Sequence, residues 1–114
     1  MTVISAEEWQ VLSFFEVGPK LRDSEVPWCF NDAVYEVRQN DLALSVAIAP
    51  SYFDVRIILK HRDSIIYELN AMSVEDVCYG KEDGRETLQI KITERESLTI
   101  RIKPHIEIQH VLKE

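Results

Sequence analysis

The sequence predicts an α+β fold: an N-terminal helix followed by a strongly curved, up-and-down antiparallel sheet of about seven strands, resembling a partly open barrel. Three observations carry this expectation. Apolar residues alternate at period two from Leu42 to Ile108, the repeat of strands that bury one face. Short turn signals interrupt that run, and short connections join antiparallel neighbours. A capping signature precedes one helical stretch near the start. With 114 residues and 46% hydrophobic content, the chain suits a single domain over 1–114 with one core.

The helix is expected at about 6–17. Ser5-Ala6-Glu7-Glu8 reads as a capping box, in which the Ser5 hydroxyl accepts from the Glu8 amide and the Glu8 carboxylate reaches back. The early carboxylates suit the positive helix end, and Gly18-Pro19 supplies the stop. Trp9, Val11, Leu12, Phe14, Phe15 and Val17 cover more than half the circumference, wider than a one-sided stripe. Such a helix is either clasped on two sides or leaves an aromatic patch exposed. In the second case a homo-oligomer forms through the Trp9, Phe14 and Phe15 face. A polar connection without regular period follows, from Lys20 to Pro27.

The meander is expected over about 28–111. An Asn40-Asp41 turn sets Val37 opposite Leu44, Tyr35 opposite Val46 and Ala33 opposite Ile48. A connection at Ala49-Pro50-Ser51-Tyr52 then sets Ile48 against Phe53 and Val46 against Val55. A three-residue loop, His61-Arg62-Asp63, pairs Leu59 with Ile65 and Arg56 with Glu68, leaving Ile58 opposite Ile66. Asp83-Gly84 is a strong two-residue hairpin signal, because both centres tolerate positive φ, and it sets Tyr79 opposite Leu88 and Val77 opposite Ile90. Glu94-Arg95-Glu96 closes the next hairpin with Ile92 on Leu98 and Ile90 on Ile100. Around Pro104 two readings stay open, one long strand bent at proline or another tight hairpin. A twisted sheet this wide must curl to bury its apolar side, with the helix as plug or lid.

Charge and motifs narrow the function. Twenty acids against thirteen scattered bases give a net charge of −7, a field that opposes phosphate backbones and so disfavours nucleic acid. The same acidity complements a basic protein partner. No segment approaches the apolar length of a membrane span, and the first residues lack a basic and apolar leader, which points to a cytoplasmic protein. Cys29 and Cys78 lack CxxC spacing and read as buried thiols. No glycine-rich phosphate loop, no GxSxG elbow and no cluster of metal ligands stands out, so no catalytic residue, metal or cofactor is assigned. His105 and Glu107 share a strand face only if the last strand is continuous. A non-enzymatic binding module is the leading reading, and a carrier holding a small apolar ligand inside the curved sheet is the alternative.

The stretch Trp28-Cys29-Phe30-Asn31-Asp32-Ala33-Val34 is similar to the Phe-His-Asp-Ala/Ser opening of small β-rich bacterial immunity-type domains of toxin systems. Asn31 stands where the family pattern has histidine. The resemblance implies a protein that binds and blocks a cognate toxin without a reaction of its own. Trp28, Asn31 and Asp32 are therefore candidate partner-binding residues, although Asp32 at a strand entrance also suits an Asx turn. Glu82, Asp83, Glu94 and Glu96 are candidates for an acidic rim that steers a basic partner.

Overall fold

The described residues of the computed structural model, 3–114, begin with an extended segment along a sheet edge. The Ala6 amide donates to Val77 O at 2.8 Å and the Ser5 amide to Asp76 Oδ1 at 2.7 Å, while the Ser5 hydroxyl bonds Asp76 Oδ2. This use of Ser5 moves the helix start. Glu7 becomes the N-cap, with the reciprocal box made by Gln10, and α1 spans Glu8–Phe15 instead of 6–17. Glu16, at φ 57°, ends it by donating its amide to Leu12 O at 2.8 Å. The left-handed cap thus falls two residues before the Gly18-Pro19 signal.

Nine strands follow: β1 (Lys20–Leu21), β2 (Ala33–Gln39), β3 (Leu42–Ala49), β4 (Asp54–His61), β5 (Ser64–Ala71), β6 (Asp76–Glu82), β7 (Arg85–Lys91), β8 (Glu96–Arg101) and β9 (Glu107–Leu112). All pairings are antiparallel and sequential, but they form two sheets, β1 to β5 and β6 to β9, and neither closes into a barrel. The single curved sheet expected from the sequence is therefore corrected. The division lies at 72–75, where Ser73 adopts φ 54°, the Val74 amide donates to Phe53 O and the Glu75 amide to Lys91 O. Those bonds carry the chain across to the second sheet, so β6 does not turn back onto β5.

The registers at Asn40-Asp41 and Asp83-Gly84 agree with the expected ones, Tyr35 facing Val46 and Tyr79 facing Leu88. Three others slip by two residues, which preserves every face because the strand period is two. Ile48 faces Val55, because a 3-10 turn at Pro50–Tyr52 and a left-handed Phe53 lengthen the loop. Leu59 faces Tyr67, because Arg62 and Asp63 both take positive φ in a two-residue turn and a bulge follows at Leu59/Lys60; Arg56 then faces Asn70 and Ile58 faces Glu68. Ile90 faces Leu98, with Thr93 Oγ1 accepting from the Arg95 and Glu96 amides to tighten the turn. At Pro104 the chain makes the hairpin of the two open readings, with Ile100 opposite Ile108. His105 lies in its loop, outside β9.

Inner faces of both sheets meet in one core containing Tyr35, Leu44, Ile57, Leu88, Ile90 and Ile100. Helix α1 contacts β2 on one sheet and β6 and β7 on the other, burying Val11, Phe14 and Phe15. Phe15 stacks on Tyr35 with centroids 4.7 Å apart. The proposed oligomer face is thereby corrected, since Phe14 and Phe15 are consumed by the core and Trp9 alone of the three is at the surface, 62% exposed. Two side chains stitch the sheets. Gln39 donates to Ile102 O and accepts from the Ile106 amide, both at 2.7 Å. His110 contacts Tyr67 Oη through Nδ1 at 3.1 Å and Glu96 through Nε2 at 2.7 Å.

Two stability outcomes follow from these contacts. Burial opposes ionisation of Asp76, but hydrogen bonds from Ser5, the Cys78 thiol and the Val77 amide outweigh it and hold the carboxyl below its usual range. A depressed carboxyl stabilises the fold above its unfolded pKa and loses that contribution as pH falls through the folded value. Asp76→Asn should cost about 1 kcal/mol near neutral pH, the site being largely solvated, and should flatten the acid limb of a pH series of thermal melts. An unchanged acid limb would refute this account. Tyr35→Phe, which strips the acceptor from the buried Trp28 indole N–H, should destabilise by about 1–3 kcal/mol in urea titration.

Candidate partner-binding surface

Three connections gather at one end of the first sheet: the loop into β2, the β3–β4 loop and the exit from β5. Asn31 organises the first of them. It is 5% exposed, and its Nδ2 donates to Asp23 O at 2.6 Å and Val26 O at 2.9 Å. Its Oδ1 accepts from the Asp23 amide at 3.3 Å and the Asp32 amide at 3.0 Å. Both donors and the acceptor of the carboxamide are engaged, which is what allows a polar side chain to sit buried. Beside it a 3-10 turn at Trp28–Phe30 turns the indole inward. The Trp28 Nε1 donates to Tyr35 Oη at 2.9 Å, and burial pushes the Tyr35 hydroxyl up to about 12. Tyr35 therefore stays neutral and acts as a fixed acceptor.

Asp32 leads out of this loop and pairs with Arg56 of β4 across the outer face of the sheet. Its other oxygen, Oδ1, is shielded from solvent and has no hydrogen-bond partner. Around the pair opens a groove of about 530 Å³, lined by Phe30, Tyr52, Met72 and Asp54 among others. Phe30 is 44% exposed, Tyr52 72% and Met72 70%. Asp54 is anchored by the Ser73 amide at 3.0 Å. The arrangement offers apolar area, anionic groups and one half-exposed guanidinium on an immobilised frame. That chemistry suits recognition of another surface more than turnover.

The residues singled out in the sequence fall into separate places. Trp28, Asn31 and Asp32 come together here, but Trp28 faces inward and only shapes the groove, while Asp32 and the largely buried Asn31 line it. Glu82 and Asp83 sit at the β6–β7 turn, whereas Glu94 and Glu96 follow β7 at its other end. Seven residues of strand separate the two pairs, or about 20 Å, so they do not form one continuous rim. Glu96 is also occupied by His110. Phe30 was part of the motif without being assigned a role, and Tyr52, Met72 and Arg56 had no local signal, because their meeting depends on the sheet register. Sequence could have offered one hint, a tyrosine at the tip of a Pro-Ser-Tyr connection.

Other chemistry is sparse. Cys29 and Cys78 are half-buried free thiols, and burial together with Asp76 raises the Cys78 thiol above its ordinary range. Among the described residues no three His, Cys, Asp or Glu side chains cluster to hold a metal ion. Glu107 lies 3.7 Å from Arg101 in an ion pair. No helix among the described residues is long and apolar enough to cross a membrane. The carrier alternative finds no support, since Tyr35, Leu44, Ile57, Leu88 and Ile100 fill the space where the two sheets meet.

No protein-family model matches the chain, and no curated protein matches its sequence. Among solved structures, a chain of the contact-dependent growth inhibition toxin–immunity protein complex from Klebsiella pneumoniae 342 is similar, with a TM-score of 0.80 and 16% identity, over 96% of this chain and 97% of that one. At that identity the likeness is one of fold.

Proposed function

We propose that this chain is a non-enzymatic, immunity-type module that neutralises a toxin by binding it. One observation carries the reading: the end-to-end likeness of fold to a chain from a toxin–immunity complex. An inhibitor needs no reaction, only a stable surface that covers the toxin, and the rigid loops around Asn31 supply such a surface. The net charge of −7 suits a basic toxin, because opposite fields accelerate encounter. The reading places both proteins in the cytoplasm of the cell that needs protection.

Co-expression with candidate toxins from neighbouring open reading frames should identify one that arrests the host alone and is neutralised by this chain. The two should copurify at one to one. If the partner is basic, raising ionic strength about tenfold should slow association by roughly an order of magnitude while changing dissociation little. Continued arrest despite soluble expression, with no complex on size exclusion, would reject the immunity reading.

A further inference from the structure

We propose that the groove walled by Phe30, Tyr52 and Met72 is the docking site for a cationic, apolar-flanked segment of the partner, so that this inference rests on the protein-binding reading above. Large apolar side chains standing in solvent at one place mark contact surfaces, and aromatic and methionine side chains are enriched in the centres of interfaces. The other grooves lack this combination. The groove bounded by Glu36, Arg38, Asp41, Lys60, Arg62 and Asp63 balances three acids against three bases and carries no large exposed apolar side chain. The groove beside the β6–β7 turn sets Lys81, Arg85, Arg101 and Lys103 against Glu82, Asp83 and Glu107 and carries no large exposed apolar side chain.

Charge selects the occupant. Asp23, Asp32 and Asp54 outnumber Arg22 and Arg56 in the lining. Arg56 is already committed to Asp32, which leaves Asp23 and Asp54 against Arg22 for an incoming group. A guanidinium or ammonium entering the groove is therefore drawn to the Asp23 and Asp54 carboxylates. Charge-assisted bonds of this kind are strong. The flanking apolar residues of the segment then cover Phe30, Tyr52 and Met72 and exclude water from the ionic contact. An anionic ligand such as a phosphate meets the wrong sign here, so the occupant is a basic protein segment.

The test uses the full chain and the purified toxin that the co-expression experiment above identifies. The triple variant Phe30→Ala, Tyr52→Ala, Met72→Ala removes area that is mostly exposed at Tyr52 and Met72 and a little under half exposed at Phe30, so its circular dichroism should match the parent and its melting temperature should fall only by a few degrees. Its dissociation constant should rise at least about 100-fold, with Tyr52→Ala alone giving about tenfold or more. Asp54→Asn keeps an acceptor for the Ser73 amide but removes the charge, and should slow association and reduce its salt dependence. Glu82→Lys with Asp83→Lys, and separately Glu94→Lys, should stay within about threefold of the parent. Full affinity in the triple variant, with loss on reversing the acidic turns, would overturn the assignment while leaving the immunity reading intact. Absence of any complex with the parent chain would reject both. A parent dimer by light scattering that the triple variant dissolves would assign the groove to a second copy instead and overturn the proposal.

Discussion

Two sheets that are apolar on one side each have only one another, and one short helix, to bury against. Most of the architecture answers to that constraint. Strands β2 to β5 and β6 to β9 direct their core residues toward a common interior, where Tyr35, Val46, Ile57, Leu88, Ile90 and Ile100 are fully buried. Helix α1 fits across both sheets because Val11, Phe14 and Phe15 fall on one side of its eight residues. Burial of this kind is non-directional and rewards any arrangement that removes apolar area from water. The polar stitches then select one arrangement, with Gln39 pinning the β8–β9 loop and His110 lying between Tyr67 and Glu96.

That frame also fixes the loops at one end of the first sheet, where the proposed docking groove lies. Loops are normally the least ordered parts of a domain, but the segment before β2 is held by four hydrogen bonds to a single buried carboxamide, that of Asn31. Phe53 accepts a left-handed backbone at φ 57° to end the β3–β4 loop, and its carbonyl receives the Val74 amide at the exit from β5. Two of the connections are thereby tied to one another, and the Asp32–Arg56 pair joins the first to β4. Side chains presented on such a frame lose little freedom on association, which favours affinity.

The faces of the strands were legible in the sequence while several turns were not. Asp83-Gly84 announces itself because glycine accepts positive φ without steric cost, and Asn40 is the residue type that tolerates it next best. Arg62 and Asp63 adopt the same geometry with no glycine to signal it, at φ 49° and 69°. Phe53 is still less expected there. The registers they shift move by two residues each, since a slip of one would expose the core faces. At the site, the Trp28 to Asp32 stretch was visible as a local motif, but Arg56, Tyr52 and Met72 reach it only through pairing of β2 with β3, β3 with β4 and β4 with β5.

By itself, then, the order of residues determined which side of each strand is buried, the antiparallel sense of its neighbours and the acidity of the surface. These are local or additive properties: period-two alternation, short connections and a sum of charges. Only the tertiary structure decided that the meander divides into two sheets at 72–75, that Ser5 caps β6 through Asp76 instead of capping the helix, and that three distant apolar side chains share one groove. Each of those outcomes is a competition between alternative partners for the same backbone amide, carboxylate or apolar area. Such competitions are settled by which groups the whole packed chain brings within reach.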